Sequence, residues 1–85
     1  MSIGDAKQGM LGPIEKLNEA LGLMQAGNAA LEEAQTGLQQ ATEGSSQAEA
    51  DQANAQVAES KNKIDEAQQQ IAQALQEFEG VAQRL

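Results

Sequence analysis

The chain has no cysteine and no histidine, no tryptophan or tyrosine, one phenylalanine and one proline. Each absence removes a class of chemistry. Without cysteine there is no disulfide framework, no thiol nucleophile and no cysteine-based zinc site. Without histidine the commonest general base near neutral pH and the commonest metal ligand are missing. The Glu-x-x-His pattern of helical di-metal centres is therefore impossible. Basic residues are scarce as well. Five Lys and Arg against thirteen Asp and Glu leave a net charge of −8 and a pI near 4.2. That balance disfavours nucleic acid and anionic membrane surfaces, because both attract basic patches. No run approaches the ~18 apolar residues of a transmembrane helix, so no membrane insertion is expected. Asp5 and Lys7 interrupt what would be the apolar stretch of a signal peptide. The expected location is the cytoplasm, or outside the cell by a route that needs no cleaved leader.

What is present favours helix. The 85 residues include sixteen Ala, fourteen Gln and ten Glu, all good helix formers, and few β-branched residues. Disorder is the alternative for so polar a chain, and periodicity decides against it. Met10, Ile14, Leu17, Leu21, Met24, Leu31 and Leu38 fall on one alternating three–four spacing, with Asn28 and Gln35 filling its two gaps. Further on, Val57, Ile64, Ile71, Phe78 and Leu85 recur every seven residues, interleaved with Ala53, Ser60, Ala67, Ala74 and Val81. Sustained heptads of this kind mark long helices packed along a seam.

The predicted fold is all-α: one domain over residues 1–85, an antiparallel two-helix hairpin. Gly44 suits the left-handed residue that ends a helix. Ser46 stands three residues before Glu49, a capping-box spacing for the next start. The spacing predicts helix one over about 3–43, a turn at 43–46 and helix two over about 47–83. Charge divides evenly, −4 for residues 1–44 and −4 for 45–85. Helix one is the weaker, since Gly9, Gly12, Gly22, Gly27 and Gly37 each cost ~1 kcal/mol relative to Ala. Pro13 lacks an amide and crowds the carbonyl of Gly9. A kinked continuous helix is preferred over a fresh start with Gly12 as cap and Pro13 as first helical residue. Ser2 and Asp5 are placed to cap the beginning.

A short turn pairs residues whose numbers sum to a constant, and centring on Gly44 makes that constant 88. The layers then run Met10 with Phe78, Ile14 with Ala74, Leu17 with Ile71 and Leu21 with Ala67. They continue with Met24 and Ile64, Leu31 and Val57, then Leu38 and Ala50. Large residues face Ala in alternate layers, which lets the backbones approach. Asn28 faces Ser60 as a polar layer that either penalises shifted pairings or is simply a wet, tolerated pair.

One hairpin of this size rarely draws more than ~3–5 kcal/mol from its core, and oligomerisation is a common remedy. Leu11, Leu23 and Leu75 lie off the seam. Beside it, Ala6, Ala20, Gly27, Ala34 and Ala41 form a heptad-spaced strip of small residues, interrupted by Pro13. These positions are the expected partner interface, although an alanine strip also follows from helix propensity alone. A homodimeric four-helix bundle or a partner-bound hairpin is the expectation.

Sites for chemistry are not found. Glu32-Glu33 and Asp65-Glu66 are adjacent and diverge on a helix. Asp51 to Glu59 lacks the glycine and oxygen spacing of a calcium loop. Lys61 and Lys63 are too few for a phosphate backbone, and Gly9 and Gly12 precede no P-loop lysine. No catalytic, metal or cofactor-binding residue is assigned.

A helical hairpin of this length resembles the WxG-type hairpins associated with type VII secretion. It is more closely similar to the N-terminal hairpin modules of actinobacterial polymorphic toxins. The stretches that carry the resemblance are Met1-Ser2-Ile3, Glu43-Gly44-Ser45-Ser46-Gln47-Ala48-Glu49, Glu66-Ala67-Gln68-Gln69 and Arg84-Leu85. The resemblance implies an export, delivery or docking module that dimerises or pairs with a related hairpin. No Trp precedes Gly44. Phe78 is followed four residues on by Ala82, where the family's Tyr-x-x-x-Asp/Glu signal carries an acid. No toxin domain follows Leu85, so a stand-alone relative or an excised module is expected.

The functional expectation is a non-enzymatic interaction module that self-associates or pairs with another helical protein. The alternative is a structural protein whose hairpins stack into filaments, shells or tubes.

Overall fold

The computed structural model describes residues 2–44 and 48–85, the side chain of Ile3 apart. Within them are two α-helices in contact, α1 (Ile3–Ala41) and α2 (Ala48–Arg84), and no strand. The hairpin is a rod of 66 × 15 × 13 Å.

The beginning of α1 is fixed by a capping box. The Asp5 amide donates to Ser2 Oγ at 3.1 Å, and the Ser2 amide donates to the Asp5 carboxylate at 3.4 Å. Two amides with no helical partner are thereby satisfied, and an acidic group sits at the positive end of the helix dipole. α1 then runs unbroken through Pro13. Gly9 and Pro13 are both exposed, so water can meet the carbonyl that loses its amide partner.

At its other end α1 closes on Leu38, whose carbonyl accepts from both the Thr42 amide (3.0 Å) and the Thr42 hydroxyl (2.8 Å). Gly44 follows with φ of +80°. Only a residue without a Cβ adopts that left-handed conformation at no steric cost. α1 thus ends two residues before the boundary expected at Glu43. Ser45, Ser46 and Gln47, which carry the rest of the expected turn, the Ser46 cap and the expected start of helix two, lie outside the described residues. So does Met1 of the Met1-Ser2-Ile3 stretch.

Along α1 the half-buried positions include Met10, Ile14, Leu17, Leu21, Met24, Asn28, Leu31, Gln35 and Leu38. This is one continuous three–four row. In α2 the half-buried row runs Ala50, Asn54, Val57, Lys61, Ile64, Gln68, Ile71, Leu75, Phe78 and Ala82. Ala53, Ala67 and Ala74 are half-buried beside it, whereas Ser60 is exposed and donates its hydroxyl to the Gln56 carbonyl at 3.1 Å. Ser60 is therefore not a seam residue, and α2 presents a face turned by one residue from the expected one. The heptad row Val57, Ile64, Ile71, Phe78 is common to both. Its companion row contains Asn54, Lys61, Gln68 and Leu75. Among the described residues none is buried.

Candidate interaction surface

In an antiparallel pair, rows that directly follow the seam on each helix share one flank, and rows that directly precede it share the other. The two flanks of this hairpin differ in chemistry.

The following flank is polar and bonded. Asn28 Nδ2 donates to Asp65 Oδ1 at 2.8 Å, and Lys61 Nζ donates to Glu32 Oε1 at 2.8 Å. Gln35 Nε2 reaches the Asn54 carbonyl at 3.5 Å. A shallow groove of 430 Å³ runs along the same side, lined by Leu21, Gln25, Asp65, Gln68, Gln69 and Ala72. Lys61 shows how a charged residue occupies a seam position. Its side chain is only 21% exposed while that of Glu32 is 66% exposed. The aliphatic stem lies along the seam and the ammonium emerges at the rim. The hydrogen bond from that ammonium, and then its charge, hold the Glu32 carboxyl below the usual carboxylate range.

That pairing has a pH signature. A carboxyl whose folded pKa is depressed contributes stability above its unfolded pKa of ~4.3, and loses it as pH falls through the folded value. Wild type should therefore be more stable than Glu32→Gln at neutral pH, by an amount small enough to suit an exposed pair. The gap should close in acid. Thermal melts of both proteins from pH 7 to pH 3 check this, and a gap unchanged at pH 3 would refute it.

The seam also holds two unanswered acceptors. Asn28 Oδ1 and Asn54 Oδ1 are both buried without a hydrogen-bond partner. Asn28 cannot relieve this by turning its amide, because its carbonyl oxygen would then face the Asp65 carboxylate. The expected Asn28–Ser60 layer is replaced by Asn28–Asp65.

The preceding flank is smooth along its middle, and its carboxylates, Glu49 and Glu77, stand at the two ends of the α2 edge row. Ala20, Gly27, Ala34 and Ala41 form one row of α1, and Leu23, Ala30 and Gly37 form the next. Across from them α2 contributes Ala53, Ser60, Ala67 and Ala74, edged by Gln56, Lys63 and Gln70. Lys63 is the sole charge among these positions, and it pairs with Glu59 at 3.7 Å. Leu23 is 68% exposed, the most exposed large apolar residue among those described. A Cβ added at Gly27 or Gly37 would meet nothing within 4 Å, so the hairpin's own packing does not require glycine there.

The residues expected to form a partner interface consequently divide. Ala20 and Gly27 are half-buried on the smooth flank, and Leu23, Ala34 and Ala41 are exposed on it. Leu11 is 57% exposed but lies on the polar flank. Leu75 is half-buried in the seam row of α2. Ala30 and Gly37 belong to the smooth flank and escaped the sequence reading, which followed one heptad row. The alternating spacing 20, 23, 27, 30, 34, 37, 41 was the signal for them.

Among the described residues no group of three or more His, Cys, Asp or Glu could hold a metal ion. No described helix is long and apolar enough to cross a membrane. A second groove, 460 Å³ and lined by Ala29, Glu32, Glu33, Thr36, Gly37 and Gln40, lies on the outer face of α1. No protein-family model, curated protein or solved structure matches this chain.

Proposed function

We propose that this chain is a non-enzymatic interaction module, a helical hairpin that completes its fold by covering one face with another helical surface. The observation that carries the proposal is area. A compact protein of 8.9 kDa exposes about 4,800 Å², whereas this chain exposes 6230 Å² and buries none of its described residues. The excess of roughly 1,400 Å² exceeds the ~800 Å² that each partner contributes to a standard interface. A role in protein secretion or toxin delivery is part of the proposal, supported by the resemblance of Glu43-Gly44-Ser45-Ser46-Gln47-Ala48-Glu49 and the other quoted stretches to the hairpin modules of polymorphic toxins.

The test is the stability of the isolated chain at high dilution. At nanomolar concentration its far-ultraviolet circular dichroism should show a broad melt of low midpoint, and the midpoint should rise with a bound helical partner or with its own concentration. A dilute monomer that melts sharply above about 65 °C, beyond the usual midpoint of small domains, would show that the hairpin needs no partner.

A further inference from the structure

The geometry points to a second copy of this chain as the partner, docked through the smooth flank in a closed symmetric pair. The inference rests on the interaction reading above and names the surface and occupant. Charge makes the first argument. Each copy carries −8, so association must avoid bringing carboxylates together. A basic partner would be drawn to the polar flank and the outer faces, where Glu32, Asp65 and most of the other acids lie. Along Ala20 to Ala41 the smooth flank offers such a partner little to pair with, since Lys63 is held by Glu59 and Glu49 lies at the end. It suits a surface equally poor in charge. This chain possesses one. Two-fold pairing matches such a patch with itself and closes after two copies.

Length and depth make the second argument. From Ala20 to Ala41 the flank extends about 32 Å at 1.5 Å per residue, close to half of the 66 Å rod. Pairing over that length covers the exposed Leu23 and a large part of the excess area. The open space at Gly27 and Gly37 then has a use. In the lone hairpin these glycines weaken α1 without relieving any contact, whereas in the pair they admit the partner's helix close to the backbone.

Sedimentation equilibrium on the full chain tests this. Wild type at high micromolar concentration should show twice the 8.9 kDa chain mass. Ala30→Glu places a carboxylate on the flank of each copy, where like charges brought together cost several kcal/mol. It should weaken pairing about a hundredfold or more. Thr36→Glu adds the same charge on the other side of α1 and should leave pairing within about twofold. Gly37→Gln is the variant that folding cannot confound. It replaces glycine by a better helix former in open space, so helix content should rise while pairing weakens. A dimer indifferent to Ala30→Glu and Gly37→Gln overturns the assignment of the flank. A mass that grows without limit overturns the closed pair in favour of an open filament. A chain that stays monomeric at high micromolar concentration, yet melts feebly when dilute, overturns the second copy and leaves the interaction reading standing. A dilute monomer of high stability would instead remove that reading itself.

Discussion

Ile71→Asp should abolish the hairpin: its far-ultraviolet helical signal at 25 °C falls to that of a largely unfolded chain. Ile71 lies in the heptad row of α2 with Val57, Ile64 and Phe78. The neighbouring seam row gives it little help, since three of its members are Asn54, Lys61 and Gln68. Removing an aliphatic core side chain costs ~2–5 kcal/mol, and inserting a carboxylate into an apolar seam adds to that. An 85-residue chain draws roughly 4–13 kcal/mol in total at ordinary stability per residue, and one with no buried residue among those described belongs at the low end. The substitution therefore removes most of what there is. Gln73→Asp, at an exposed position two residues on, is the matched control. If Ile71→Asp kept its signal and cooperativity, the helices would be standing on local propensity and the seam would not be holding them.

Asn28→Leu should act in the opposite direction on stability and damage specificity. The Asn28 carbonyl oxygen is buried and unpaired, and an unmet acceptor costs ~1–3 kcal/mol. Its amide bond to Asp65 is lost in the variant, but Asp65 is exposed and returns to water. The net gain should be about 2 kcal/mol, which raises the melting midpoint by roughly 8–16 °C for a domain of this size. The same change removes one of the polar positions that distinguish the native register from one slipped by seven residues. Multiple oligomeric species or a broadened transition should accompany the higher midpoint. An unchanged midpoint with one unchanged species would show that Asn28 neither strains the seam nor sets its pairing.

The difference between the expected and observed pairings has a physical source. Two helices, their order and the glycine between them were legible, because heptad spacing and the demand for a left-handed residue are properties of the sequence alone. Pairing by a sum of 88 treated side chains as if they stood straight out from the axis. They lean toward their own N-terminus. In an antiparallel pair that lean carries α1 side chains away from the turn and α2 side chains toward it. Side chains that meet therefore belong to residues whose numbers sum to more than the helix ends imply. The ends Ala41 and Ala48 imply 89. Asn28 with Asp65 and Glu32 with Lys61 both sum to 93. Gln35, which ends on the backbone of Asn54, gives 89.

The face of α2 was harder to read for a related reason. Ala53, Ala67 and Ala74 look apolar and Asn54, Lys61 and Gln68 look polar, so composition favours the first row. Long polar side chains nevertheless fill a thin seam with their stems and keep their ends wet, and Leu75 belongs to that same row. The smooth flank was half visible as the strip containing Ala20, Gly27, Ala34 and Ala41. Its contrast with the opposite flank emerges only when Asp65 and Lys61 are seen bonded across the polar side.

The rod shape governs how this molecule behaves in flow. Its radius of gyration is 19.4 Å, against about 12 Å for a compact chain of 85 residues. A compact protein would need roughly 300 residues to reach the same radius. A single hairpin should therefore elute from a sizing column among proteins several times its mass. A pair laid flank to flank would grow mainly in thickness, so its elution would shift less than its doubled mass implies. Methods that weigh the particle will separate one copy from two, whereas those that gauge its reach will tend to confuse them.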